Sequence, residues 1–243
     1  MTGGGRGIGR ATAQLLARAG ARVAVGYRDR SSDAWETVRV VEEGGGHAVA
    51  IAGDLSAPDS ALNAVTRATH ALGGLDLLIV NHGVWEPKDV PVGQMSVEQW
   101  THTRSTNLDA VFYVCRAAIP MLERQGRIVL VASTAAQRGE AFHADYAATK
   151  GAIIAFTKSL AVELAPEHTV NCVAPGWVDT EMSVPALAKN GGAGRRAIEG
   201  TIPLGRLASP EDIAGPIAFL CSELARHVTG EVLNVNGGAV LCG

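Results

Sequence analysis

Phenylalanine, tryptophan and tyrosine together supply only 5% of this chain, and its four cysteines, Cys115, Cys172, Cys221 and Cys242, are scattered without metal-type spacing. That scatter excludes a cysteine-built metal centre and a disulfide framework, and it reads as reduced, mostly packed thiols. No apolar run reaches membrane-spanning length, and the amino terminus carries no charged-then-apolar signal region, so the expectation is a cytoplasmic protein with no membrane partner. A net charge of −3 leaves no basic footprint for nucleic acid and no polybasic patch for a lipid surface. Repeats and low-complexity linkers are absent too. What is present is 47% hydrophobic residues and 29 glycines in 243 residues, enough to bury a sizeable core as a single domain spanning 1–243. Strand and helix signals alternate along it, which predicts an α/β fold with a parallel, doubly wound sheet and right-handed crossovers.

The chemistry concentrates between Ser133 and Lys150. Arg127 to Ala132 reads as a buried parallel strand, which places Ser133 at a strand's carboxyl end. A long apolar-periodic helix follows through Gly151, Ile154, Phe156 and Leu160. Tyr146 and Lys150 stand four apart at its start and share one face, both able to look back at the serine. Such a trio suits proton transfer to or from a carbonyl or alcohol oxygen. A phenol with the ordinary pKa near ~10 is a poor base at neutral pH, and an ammonium within hydrogen-bonding range is expected to lower it. Alone, Tyr-x-x-x-Lys is more simply a helix face with a snorkelling lysine. Its company elsewhere in the chain changes that balance.

Thr2-Gly3-Gly-Gly-Arg6-Gly7-Ile8-Gly9, Asp54-Leu55, Asn81-His82-Gly83, Asn107, Ser133, Tyr146-x-x-x-Lys150, Asn171, Pro175-Gly176 with Thr180, and Asn236-Gly-Gly238 occur in this order and at these separations. Taken together they resemble a short-chain dehydrogenase/reductase, nearly end to end. The resemblance implies a Rossmann-type fold and hydride transfer between a nicotinamide cofactor and a carbonyl or alcohol. Tyr146 would act as the acid in reduction, Lys150 would lower its pKa and bind ribose, and Ser133 would polarise the substrate oxygen. Asn107 would kink its helix and hold a water that links Lys150 to bulk solvent.

The glycine loop opens a helix running to about Ala19. Gly3, Gly7 and Gly9 let the backbone turn tightly and approach a pyrophosphate, which the helix's free amides and dipole attract. One departure from the family stands out, since a full apolar strand normally precedes this loop and here only Met1 precedes Thr2. Two explanations are open, a start assigned inside the strand, which is the favoured expectation, or a protein that lacks its central strand. Loss of that strand would strip the partners from two neighbours' backbone groups.

Arg22 to Arg28 forms the next strand. Dinucleotide-binding proteins that select NAD carry an acidic residue near its end, and here Tyr27 is followed by Arg28, which suits a 2′-phosphate, with Arg6 adding a second positive charge. Asp29 lies past the arginine. NADP(H) is therefore expected over NAD(H). A helix over Ser31 to Glu43 and a strand over His47 to Ala52 come next. By resemblance the Asp54 carboxylate accepts from the adenine amino group and Leu55 frames the ring, although Asp54 also fits a plain helix cap before Pro58. A strand over Leu75 to Val80 leads into Asn81 and Gly83, with His82, where the family usually has alanine, read as structural.

A long helix pair lies between Ser96 and Arg124. Its apolar faces and those of the Tyr146 helix fit the contact by which family members assemble, so a homotetramer is expected, with a dimer as runner-up. After a strand over Thr169 to Ala174, the resemblance turns Pro175, Gly176, Val178 and Thr180 toward the nicotinamide. Met182 to Arg206 reads as a mobile lid. A helix over Pro210 to Ser222 and a strand over Glu231 to Val235 finish the chain. Pro-Gly-Trp-Val-Asp-Thr-Glu-Met182 and the Val-Asn-Gly-Gly tail look nearest to 3-oxoacyl-[acyl-carrier-protein] reductases. Arg124 and Arg138 could meet an acidic carrier, but Glu163 and Glu167 stand where basic residues would be expected. Small ketones, sugars and polyketide-type rings are the alternative substrates, and an NADP-sensing regulator is the non-enzyme alternative.

Overall fold

The computed structural model of the chain describes residues 1–189, 191 and 193–241, so Cys242 lies outside the described residues. Short aliphatic runs bounded by glycine or polar turns form parallel strands, which are β1 Arg22–Tyr27, β2 His47–Ala52, β3 Leu77–Val80, β4 Arg127–Val131, β5 Thr169–Pro175 and β6 Val232–Val235. Helices alternate with them. The first half carries α1 Gly7–Arg18, α2 Ser31–Glu43, α3 Pro58–Leu72, α4 Val97–Arg104 and α5 Ala110–Ala118. The second half carries α6 Ala135–Arg138, α7 Ala144–Glu163, α8 Val184–Leu187, α9 Ala193–Glu199 and α10 Pro210–Leu220.

Side chains leave a strand on alternate faces, and β4 shows what that does. Val129 and Val131 pack into an apolar cluster with Leu16 of α1, Val38 of α2, and Ile213 and Ile217 of α10. Ile128 and Leu130 pack into a second cluster with Val65 of α3, Val114 of α5 and Ile153 of α7. Both faces of the sheet are thus covered by helices, as a strand of unbroken aliphatic residues requires.

The expected single sheet is realised as two ladders, one of β1 and β2 and one of β3, β4, β5 and β6 in that order. The segment from Met1 to Gly4 lies between them. The Met1 amino group donates to the Ala24 carbonyl at 2.9 Å, Gly26 N–H donates to the Met1 carbonyl at 2.9 Å, and Thr2 N–H donates to the Ile79 carbonyl at 3.0 Å. In a parallel strand, a residue's N–H and C=O point to the same side. Gly53 N–H reaches the Tyr27 carbonyl on the β2 side, so Ala24 and Arg22 face the seam, and by the same parity Ile79 and Leu77 face it from β3. Beyond Met1, the N–H groups of Ala24 and Ile79 and the carbonyls of Arg22 and Leu77 have no backbone partner among the described residues. A cavity of about 90 Å³, lined by Met1, Val23, Leu77, Ile79 and other apolar side chains, lies beside them.

Two further expectations are refined. The helix pair around Asn107 is one rod broken by a π-helical turn over Ser105–Asp109 between α4 and α5, started by Ser96, whose hydroxyl accepts from Gln99 N–H at 3.1 Å. Asp54 is not a helix cap: α3 starts at Pro58 with Ala57 before it, and the Asp54 carboxylate instead accepts from Ser56 N–H at 3.0 Å and Ser56 Oγ at 2.7 Å.

Candidate active site

The carboxyl ends of the strands open on one side, and the loops that follow them wall a cavity of about 410 Å³. The glycine loop forms its first wall, through Gly3, Arg6, Gly7 and Ile8. Gly9 lies behind it, where a Cβ would sit 1.9 Å from the Gly3 carbonyl oxygen, so only glycine allows the loop to fold onto the start of α1. Arg6 precedes that helix in extended conformation, and no side chain caps it. The first amides of α1 are therefore free to take an anion.

Beyond β1 the cavity meets Tyr27, Arg28, Asp29 and Arg30. Arg28 Nε donates to Asp29 Oδ2 at 2.7 Å, Arg30 pairs with Asp33 at 3.3 Å, and Arg6 lies 4.0 Å from the Glu181 carboxylate. Three guanidinium groups thus border the cavity. Asp54, Leu55, Asn81 and Gly83 line the adjoining wall. Asn81 Nδ2 donates to the Gly3 carbonyl at 3.1 Å and ties that wall to the glycine loop. His82 Nδ1 stands 2.8 Å from Thr2 Oγ1, and burial, helped by the Lys150 charge, holds its imidazole down at about 4. It is neutral near pH 7 and lines the cavity.

Ser133, Tyr146 and Lys150 meet on the far wall. Lys150 is buried, its Nζ donates to the Val131 carbonyl at 2.8 Å, and it lies 5.8 Å from the centre of the Tyr146 ring. Burial pulls its ammonium down to about 8. The Tyr146 phenol, expected to be lowered by that lysine, is instead pushed up to about 12, because burying a phenolate outweighs the help of the Ser133 hydroxyl, and the Glu140 carboxylate opposes it further. Tyr146 is therefore held as a protonated acid.

Asn107 does not line the cavity. Its Oδ1 accepts from Val84 N–H at 2.7 Å and its Nδ2 donates to the Val84 carbonyl at 2.8 Å, so it braces the loop after β3 from behind. A Cβ on Gly83 would meet Asn107 Oδ1 at 3.2 Å and Lys150 Nζ at 3.5 Å, which puts the amide close to the ammonium. The last wall is Pro175, Gly176, Val178 and Thr180. The Thr180 methyl would touch a Cβ on Gly7 at 3.1 Å, so the loop after β5 closes down on the glycine loop. The segment expected as a lid carries α8 and α9 and is pinned by Arg195 to Asp179 at 2.5 Å.

Sequence reading passed over Arg30, Trp85 and Glu140, all of which line the cavity. Only Arg30 had a usable signal, a second arginine in the same strand-end loop. Among the described residues no group of three or more His, Cys, Asp or Glu is placed to hold a metal ion, and no helix is long and apolar enough to cross a membrane. Cys115, Cys172 and Cys221 are free and buried, and burial raises all three thiols.

Residues 3–240 match the sequence model of a family described as Enoyl-(Acyl carrier protein) reductase. The 3-oxoacyl-[acyl-carrier-protein] reductase FabG of Vibrio cholerae is 39% identical over 242 residues, which cover 98% of this chain and 95% of that protein. The L-rhamnose 1-dehydrogenase (NAD(P)(+)) of Azotobacter vinelandii is 36% identical over 245 residues, 98% of this chain and 94% of that one. Among solved structures, a short-chain dehydrogenase from Burkholderia cenocepacia in complex with NADP superposes with a TM-score of 0.90 at 34% identity, covering 98% of this chain and 96% of that one. A protein described as short-chain dehydrogenase/reductase SDR:Glucose/ribitol dehydrogenase, from Brucella melitensis, superposes with a TM-score of 0.89 at 38% identity, covering 99% and 95%.

Proposed function

The chain belongs to the short-chain dehydrogenase/reductase family, and on that premise we propose that this oxidoreductase is NADP(H)-dependent and uses Tyr146 to pass a proton to or from the oxygen of a carbonyl or alcohol. The observation that carries the reading is the meeting of Ser133, Tyr146 and Lys150 in the same cavity as an uncapped glycine-loop helix. That cavity suits a long anionic dinucleotide. The free amides of α1 would hold its pyrophosphate, and Arg28, Arg6 and Arg30 would take a 2′-phosphate, since a guanidinium binds phosphate in two-pronged fashion. Asp54 and Leu55 are assigned to the adenine, Asn81 and Gly83 to the adenosine side, and Pro175, Gly176, Val178 and Thr180 to the nicotinamide.

When bound, the nicotinamide supplies or accepts the hydride. The chain's own part is to hold and protonate. Ser133 donates to the substrate oxygen, and Tyr146, kept protonated by burial, delivers its proton to that oxygen as negative charge grows there. Lys150 places a positive charge behind the phenol at the moment it becomes anionic, and Asn107 fixes the loop around it. A pure NADP sensor would have no use for this buried acid.

Two experiments test the reading. Titration of the chain with NADPH and NADH, followed by tryptophan fluorescence, is expected to show tighter NADPH binding, because Trp85 and Trp177 line the cavity. Tyr146→Phe is expected to lower turnover by roughly 10²- to 10⁴-fold with NADPH binding retained. A loss under tenfold would remove Tyr146 from the chemistry.

A 3-oxoacyl thioester is one substrate consistent with the relatives named FabG, and Arg138 at the cavity wall suits an acidic carrier. Exposed Glu163 at the end of α7 and Glu167 just beyond it weigh against a carrier protein. The chain is further assigned to a homotetramer, supported by exposed Trp100 on α4, Phe112 on α5 and Val162 on α7, and to the cytoplasm.

A further inference from the structure

Glu140 is a carboxylate that the proton-transfer chemistry does not use. It sits in the loop between α6 and α7, its side chain is only 15% exposed, and it faces the substrate end of the cavity with Tyr146. Burial raises its pKa, and the neighbouring His143 and Arg138 charges, with a hydrogen bond from the Trp85 side chain, oppose that rise. The wall around it is aromatic. Trp85 stacks on His143 with ring centres 4.8 Å apart and planes 17° from parallel, and it meets Trp177 edge-on at 6.0 Å and 85°. In a chain with only 5% aromatics, two of the four tryptophans stand together at this point.

The frame behind them is tied down. Val90 N–H donates to the Phe142 carbonyl at 3.1 Å, joining the Trp85 loop to the Glu140 loop, and Lys189 pairs with Asp89 at 3.3 Å from the lid side. A pocket so fixed presents flat apolar faces next to the Glu140 carboxylate.

That combination selects a chemistry. An indole face packs against the C–H face of a saturated ring, and a desolvated carboxylate accepts from two adjacent hydroxyl groups at once. An acyl chain has no donor to offer that carboxylate. Resting on the hydride-transfer reading above, we infer that the substrate is a neutral polyhydroxylated ring of the aldose type, with Glu140 gripping neighbouring hydroxyls and Trp85 and Trp177 packing its carbon face.

The test compares a panel of free aldopentoses and aldohexoses, assayed with NADP⁺, against ethyl acetoacetate, a ketone with no hydroxyl group, assayed with NADPH. At least one aldose is expected to be oxidised by the intact chain. Glu140→Gln keeps the shape but removes the charge, and it is expected to lower the aldose kcat/KM at least ~10-fold more than that of ethyl acetoacetate, mainly through KM, with Glu140→Asp recovering part of the loss. Reduction of ethyl acetoacetate with no aldose oxidised overturns the inference and leaves the hydride-transfer reading standing. Equal losses on both substrates also overturn it, by making Glu140 a structural residue. Failure to bind NADPH or to turn over either class sinks the hydride-transfer reading and this inference together.

Discussion

Burial displaces two ionisable side chains of the cavity in opposite directions, Tyr146 to about 12 and Lys150 to about 8. Only one of them titrates in the range where a dehydrogenase is assayed. The lysine carries its charge below pH 8 and loses it above, while the phenol stays protonated throughout. The kcat/KM for reduction is therefore expected to hold on the acid side and fall as pH rises through about 8, on a limb that belongs to Lys150. A profile flat to pH 10 would take the ammonium out of the mechanism. The meeting of Ser133, Tyr146 and Lys150 in one cavity was legible from their strand-end and helix-face positions together with the other motifs of the chain. The rise in the Tyr146 pKa was not, because depth of burial depends on what the other walls contribute. Glu140 was invisible for a similar reason: a carboxylate in an aperiodic loop has no pattern to say whether it faces solvent or substrate.

Most helices and strands declared themselves through glycine stops and apolar periodicity, and α2 and β2 occupy the expected residues. The π-helical turn at Ser105–Asp109 was foreshadowed only as a kink at Asn107. Its form depends on Val84, which satisfies that amide from 23 residues away. The seam at Met1 and Thr2 offers an element-scale prediction. Among the described residues four backbone groups facing it have no backbone partner, and the Met1 ammonium is buried there with its pKa pulled down to about 6. A stretch of four β-branched apolar residues placed ahead of Met1 would pair those groups, fill the 90 Å³ cavity and remove the buried amine. At about 1 kcal/mol net for each hydrogen bond, and ~2–4 °C per kcal/mol for a domain of this size, Tm is expected to rise by about 10 °C. An unchanged thermal midpoint would mean the seam is already satisfied.

For the whole molecule, the doubly wound architecture was readable from the alternation of signals. The outer faces of α4, α5 and α7 carry exposed apolar side chains, Trp100, Phe112 and Val162. Sedimentation equilibrium is expected to give four times the 25.2 kDa of one chain, and Phe112→Glu is expected to reduce it. A 25 kDa species for the unaltered chain would reject the assembly. The two ladders also divide the cavity between them. Arg28 and Asp54 hang from β1 and β2, whereas Ser133 and Thr180 hang from the larger ladder. A dinucleotide lying across both, as proposed above, would add its binding energy to the contact between them as well as to its own residence. Slow amide-hydrogen exchange should consequently spread into β1 and β2 when NADPH is present, so that the cofactor finishes the fold as well as serving the reaction.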